Sequence, residues 1–390
     1  MKKNLSTIFI FFLINNLFSQ QAQIDFIKGN INDKITVITS ISKTNESEAI
    51  TKLSIDYIIQ NKQILGNDKE LESLTTATIL SINEDFGKNF SDFEKNEFIN
   101  NYISIYNDFS DSLTVQTALL QKCKILQNNF SLQKITDTFN TFLLKSDLSK
   151  ENSNKVKSIL DSLCYLGNNT SFTIISSFFL SNKYEIYNEE FVSVLSNLVP
   201  LAPNTVIELI NESDVNQIIK LRKILLNNSI ISTNLMCKIA ENVIKKTILL
   251  IEDSSNLDKE IVLIQLDSLK ILNTNKWTRA SSVVCDYFDY AKTMYNNNQL
   301  TDYQFAEVIE AFANISPIDS VSKLVAYLEE LNSNTDKLLP VSQTVIITVI
   351  QTLGAIGNKS AFDSLLEVTY LNYPEPILTA ARNALSGLKW

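Results

Sequence analysis

The sequence predicts an all-α protein built as an α-solenoid of stacked antiparallel helix pairs. Three observations carry this expectation. The 390 residues include only 7 glycines and 6 prolines, fewer than an all-β sandwich or a phosphate-cradling fold needs for its turns. Apolar residues recur at spacings of three and four along most of the chain, which gathers them on one stripe of a helix. A helix–corner–helix pattern then returns several times.

That corner is clearest in TLGAIGNKSAF (Thr352–Phe362). SLCYLGNNTSF (Ser162–Phe172) superimposes on it without a gap, so that Leu163 matches Leu353, Gly167 matches Gly357 and Phe172 matches Phe362. VLSNL (Val194–Leu198) then falls on ALSGL (Ala384–Leu388) at the same offset. Further copies are AFANISPIDSV (Ala311–Val321), NLVPLAPNTVI (Asn197–Ile207) and SLKILNTNKWT (Ser268–Thr278). Gly167 and Gly357 are expected at positive φ, where a helix C-terminus takes glycine at no steric cost. The Asn, Ser and Thr residues that follow suit the N-cap of the next helix. A helix pair of roughly 40 residues cannot bury its apolar faces alone, so neighbouring pairs must stack.

Taken in order, the chain opens with MKKNLSTIFIFFLINNLFSQ, which has the parts of a secretory signal. Lys2 and Lys3 give the positive start, Ile8–Ile14 the apolar run and Ser19 a small residue at the cleavage point. Residues 1–19 are expected to be removed, leaving an exported, soluble protein in the periplasm or outside the cell. The apolar run is shorter than the roughly 20 residues that span a membrane. Residues 20–150 follow as irregular helical repeats, either the first part of the solenoid or a separate helical domain. Helical stripes are expected at Asn32–Gln60, Lys69–Ile82, Phe93–Tyr106, Leu113–Leu126 and Leu132–Leu144, with the best boundary at Lys145–Asn154. Residues 151–390 form the more regular repeat array. Its loops are expected at Glu252–Glu260, Tyr295–Asp302 and Asn332–Pro340, with Pro340 and Pro376 at helix starts.

The best copy, Val349–Leu385, resembles a HEAT-repeat α-solenoid of the short-turn kind found in phycobilisome-lyase-like proteins. It has the family's Leu-Gly-x-Ile-Gly corner, then Pro-Glu, then Ala380–Ala381 and Ala384–Leu385. Family copies often place an Asp after the corner glycine and an Arg early in the helix after Pro-Glu. Here those positions hold Asn358 and Leu378, so the family's Asp–Arg ladder is not written at them. The resemblance covers Ser153–Trp390 clearly and Gln20–Lys150 faintly. It implies a HEAT- or armadillo-like superhelix and carries no lyase activity, because the shared residues pack helices.

Composition narrows the chemistry. The chain has no histidine, which removes Ser-His-Asp and Cys-His catalysis and the commonest transition-metal ligand. Cys123, Cys164, Cys237 and Cys285 form no C-x-x-C pair and sit in apolar stripes, so free thiols are expected, with Cys123–Cys164 the one pairing left open. The acidic neighbours Glu189–Glu190, Glu252–Asp253 and Glu329–Glu330 point in different directions on a helix and read as solvated faces. The formal net charge of −9 becomes −11 without Lys2 and Lys3, which disfavours nucleic acid as a partner. No cofactor or metal site is expected.

One stretch exceeds what a buried stripe can use. In WTRASSVVCDYFDYAKTMY (Trp277–Tyr295), Val283, Val284, Tyr287 and Phe288 fit the core face, leaving Trp277, Tyr290 and Tyr295 for packing between repeats or a protein-binding groove. Second helices of the repeats are expected to begin near Ser171, Thr205, Trp277, Ile318 and Ser360 and to line the inner curve. Lys323 and Asp363 join the candidate contact residues on that ground. The expected function is a non-enzymatic scaffold whose concave face holds a protein or peptide. The alternative is an exported carboxylate-dependent enzyme acting on a glycan from a helical toroid.

Overall fold

The structure is a computed structural model that describes residues 21–41, 47–226, 228–252 and 259–389. The described residues form helices and turns, with no β-strand beyond an isolated bridge between Asn358 and Lys389. The expected signal segment, residues 1–19, lies outside the described residues, as does most of the expected loop 252–260.

Two compact units divide the chain after Leu201. In the first, residues 21–28 are helical and are followed by α1 (Ile31–Ile41), α2 (Ser47–Leu65), α3 (Lys69–Ser81), α4 (Asp92–Asp108), α5 (Leu113–Leu126), α6 (Gln133–Lys145), α7 (Ser153–Leu166), α8 (Asn169–Leu180) and α9 (Asn188–Leu198). Each helix from α1 to α7 packs on the one two places further along. This gives two rows, α1-α3-α5-α7-α9 and α2-α4-α6-α8, that run through Lys145–Asn154 without a break. The expected stripe Asn32–Gln60 is two helices, α1 and α2.

The second unit repeats the scheme. It contains α10 (Pro203–Glu212), α11 (Val215–Leu225), α12 (Thr233–Glu252), α13 (Lys259–Thr274), α14 (Ser281–Asn296), α15 (Asp302–Ile315), α16 (Asp319–Asp336), α17 (Gln343–Ile356), α18 (Phe362–Val368) and α19 (Glu375–Ser386). One row is α10-α12-α14-α16-α18 and the other α11-α13-α15-α17-α19. A single apolar cluster runs from Cys237 to Leu388 through both rows, with Phe288, Phe305 and Phe312 stacked at its centre.

The corners fall where the repeat places them, but the intimate pairs are not the ones joined by those corners. α7 and α8 are linked by Gly167 and Asn168 alone and pack poorly along their lengths; so do α13 and α14, and α17 and α18. The close pairs of consecutive helices are α2 with α3, α8 with α9, α12 with α13, α14 with α15, α16 with α17 and α18 with α19. The close pairs α8–α9 and α16–α17 are joined by residues 181–187 and 337–342.

The two corner glycines differ. Gly357 adopts φ +71°, the left-handed cap expected of it. Gly167 has φ −61° and ψ 160°, an extended conformation open to any residue. What requires glycine there is space: a Cβ would lie 2.5 Å from the Leu163 carbonyl oxygen and 2.8 Å from a Leu198 methyl. Gly354 is a second close approach, since its Cβ would meet the Ala384 backbone at 2.7 Å.

Helix starts follow the capping chemistry. Ser91 with Glu94, Asn168 with Ser171, Asp214 with Gln217 and Thr301 with Gln304 form reciprocal capping boxes. Pro203 and Pro376 occupy first-turn positions, whereas Pro340 lies in the loop ahead of the N-cap Ser342. The segment Asn83–Glu97 buries Phe86 and Phe90. They join Phe98 and Phe130 in an aromatic cluster with Phe98 and Phe130 4.8 Å apart. Gly87, at φ +78°, lies against Phe130, whose ring would be 2.1 Å from a Cβ there.

Leu163 and Leu353 are fully buried, at 0% and 1% exposure. Leu163→Asp or Leu353→Asp should each cost on the order of 3–5 kcal/mol, because the new carboxylate has no buried partner. Urea unfolding and hydrogen exchange across the mutated row measure the loss. Gly354→Ala should cost about 1–3 kcal/mol by forcing α17 away from α19. An unchanged melting temperature would show that the two helices do not meet at Ala384.

Candidate interaction surface

The aromatic-rich stretch begins at a turn. Lys276 takes φ +48°, and the Trp277 amide donates back to the Leu272 carbonyl at 3.0 Å, closing the end of α13. This returns the indole to α12, where Nε1 donates to Glu241 Oε2 at 3.0 Å. The Arg279 guanidinium lies 5.3 Å from the indole centroid. Trp277 is thus half-buried between neighbouring helices of one row.

Along α14, Val284, Tyr287 and Phe288 are buried and Val283 is half-buried, as the stripe requires. Tyr290 is half-buried against the same cluster, its ring 6.4 Å from that of Tyr287. Tyr295 stacks on Phe305 at 4.7 Å and donates its hydroxyl to Asp302 Oδ1 at 2.8 Å. Burial and the Asp302 carboxylate raise its pKa.

Lys323, on α16, pairs with Asp289 of α14 and also reaches the Cys285 carbonyl at 3.4 Å. Burial opposes its charge, but the bond to Asp289 outweighs that and the pKa is raised. Asp363, at the start of α18, is exposed. The structure therefore places all five candidate residues in the second unit, on or beside the row α12-α14-α16-α18. Four are engaged with neighbouring elements and Asp363 faces solvent.

Several residues that sequence reasoning passed over belong to the same system. Lys292 of α14 pairs with Glu330 of α16 and lies 4.7 Å from the Tyr327 ring. Asn332 donates to Glu367 at 2.9 Å, and Ser364 donates to Glu329 at 3.0 Å. With Glu241–Trp277 and Asp289–Lys323, these contacts form a polar ladder whose partners are 34 to 38 residues apart. Its donors are Lys, Trp, Asn and Ser side chains. In the other row, Arg222 of α11 holds Asp267 and Glu260 of α13.

The acidic neighbours behave as helix geometry demands. Glu190 pairs with Lys157 at 2.6 Å, while Glu329 and Glu330 turn to Ser364 and Lys292 respectively. Asp253 lies outside the described residues. Among the described residues no group of three His, Cys, Asp or Glu side chains is arranged to hold a metal, and no single helix is long and apolar enough to cross a membrane. All four cysteines are free thiols. Cys123 is fully buried and its pKa is pushed up to about 12, chiefly by burial.

Two measurements check this arrangement. A double-mutant cycle on Asp289→Asn and Lys323→Met should give a coupling of no more than about 1 kcal/mol, since both side chains keep contact with water. A coupling near zero would remove this rung from the ladder. In native protein, Cys123 and Cys237 should resist a thiol reagent until unfolding, whereas half-buried Cys164 and Cys285 should react first.

No protein-family model matches the chain, and no curated protein matches it in sequence.

Proposed function

We propose that the chain is an exported, non-enzymatic HEAT-like scaffold that holds a protein or peptide along a row of its helices. The observation that supports this most is the packing of each helix on the one two places ahead, which makes each unit a stack with two continuous helical faces. Such a stack offers an extended surface, with side chains supplied at a regular interval by successive helices. The missing histidine supports binding over the commonest acid–base and nucleophilic chemistries. Export rests on the positive, apolar and small-residue order of residues 1–19.

The partner surface is assigned to the row α12-α14-α16-α18, with Trp277, Tyr290, Tyr295, Lys323 and Asp363 as its contact residues. Because Trp277 and Lys323 also hold neighbouring helices, their replacement affects stability and binding together. Asp363 separates the two effects.

Affinity capture with the full mature chain, read by mass spectrometry, tests the surface. Asp363→Lys should weaken retention of a captured partner while shifting the melting temperature little, because exposed substitutions usually stay within about 0.5 kcal/mol. Gln351→Ala on α17 is the control in the other row. If only Gln351→Ala reduces capture, that other row is the working face. N-terminal sequencing of exported material should begin at Gln20; a start at Met1 would reject the signal.

A further inference from the structure

A cleft of about 480 Å³ opens in the first unit between α4 and α6, with Lys155 of α7 at one side. Its size falls within the range of small-molecule sites, roughly 300–1,000 Å³. Tyr106 and Phe142 line it from the two helices, and Thr138 and Thr141 add methyl-bearing walls. The hydroxyls of both threonines are already donated to backbone carbonyls of their own helix, at 2.8 and 2.7 Å.

The charge in this cleft runs against the rest of the molecule. The chain carries a net charge of −9, yet Lys145 and Lys155 both line the cleft. The Lys155 ammonium lies 5.0 Å from the Phe142 ring and 5.8 Å from the Tyr106 ring, with the Ser110 carbonyl at 3.5 Å. Neither lysine has a carboxylate within ion-pair distance among the described residues. Lys292 shows the paired alternative, since it also lies over a tyrosine ring and holds Glu330, whereas Lys183 lies over Phe178 and Tyr184 with no ion pair among the described residues. Asp137, the acid lining the cleft, precedes Lys145 by eight residues, about 12 Å along the helix axis, and the Glu151 carboxylate acts on the Tyr106 hydroxyl from outside the lining. Behind the cleft, Tyr106 is 7% exposed and its hydroxyl has no hydrogen-bond partner among the described residues.

We propose that this cleft binds a carboxylate attached to an apolar body, with Lys145 and Lys155 receiving the carboxylate and Phe142 with the threonine methyls receiving the body. The site lies wholly within the first unit and does not depend on the partner surface assigned to the second. An ammonium ligand is disfavoured, because the lining sets two lysines against the one carboxylate of Asp137. Two sources carry the required chemistry: a free organic acid and the C-terminus of a peptide.

Isothermal titration of the full chain at low ionic strength tests the site with two probes, N-acetylphenylalanine and the tripeptide acetyl-Gly-Gly-Phe. Their C-terminal amides serve as controls. The acids should bind about tenfold more tightly than the amides, and Lys145→Ala should remove about that factor, as expected for losing a charge-assisted contact. Lys145 is exposed, so this variant should melt with the parent protein, and Lys155→Met should weaken the acids similarly while keeping its apolar stem. Binding by both probes assigns the site to any acid of this class; binding by the tripeptide alone assigns it to a chain terminus. Equal affinity for acid and amide would overturn the proposal. So would undiminished binding by both lysine variants, or no binding of either acid at millimolar concentration.

Discussion

Everything in each unit depends on one constraint: a helix here has more apolar surface than its immediate neighbour can cover. α15 shows it plainly: Phe305, Val308, Ile309 and Phe312 form one buried stripe, and Ala306, Ala311 and Ala313, buried as well, widen it on both sides. No single partner helix covers so wide an arc. The remainder is buried by the helices two places before and two places after, and this fixes the two-row stack. The same demand sets the repeat length, since two helices and their connections occupy roughly 40 residues. It also explains the close approaches, because a tight row needs small residues where backbones meet, as at Gly354 against Ala384.

Polar contacts then fix the spacing between repeats. Lysine does much of this, through carboxylates and through the carbonyl ends of helices. Lys122 donates to the Ile82 carbonyl beyond α3 at 2.6 Å, and Lys246 donates to the Asn211 carbonyl of α10 at 2.7 Å. Lys34, only 3% exposed, donates to the Phe26 and Gly29 carbonyls at 2.6 Å each, and burial lowers its pKa. A cation at a helix C-terminus satisfies orphan carbonyls and complements the helix dipole. A chain with three arginines thus ties its helices together largely through lysine, with Arg222 on Asp267 and Glu260 adding an arginine contact.

The helices were legible because their signal is periodic. Leu113–Leu126 matches the observed α5 at both ends, and Lys69–Ile82 and Phe93–Tyr106 fall within one or two residues of α3 and α4. The corners were legible as positions, but their geometry was not. The reasons for glycine, a positive φ at Gly357 and a close approach at Gly167, look alike in sequence and differ in three dimensions. The polar ladder was hidden for a related reason. Its partners are 34 to 38 residues apart with no fixed register, and a lysine that caps a carbonyl leaves no signature, since every residue has a carbonyl. Trp277 and Lys323 stood out as surplus residues on their own helices, and only the neighbouring repeat reveals what they touch.

That last point bears on how a functional residue is recognised in a repeat stack. An aromatic or charged side chain beyond the needs of its own helix is weak evidence of a ligand, because the adjoining repeat has first claim on it. Glu241 takes Trp277, Asp289 takes Lys323 and Asp302 takes Tyr295. The informative groups are those that remain unmatched after the neighbours are counted. By that measure the cleft lysines of the first unit weigh more than the aromatic stretch that first drew notice. They are cations without a carboxylate in an acidic chain, beside aromatic walls and open to solvent. Lys155, held over two rings without an ion-paired carboxylate, keeps its ammonium open to an incoming anion, whereas Glu330 already occupies that of Lys292.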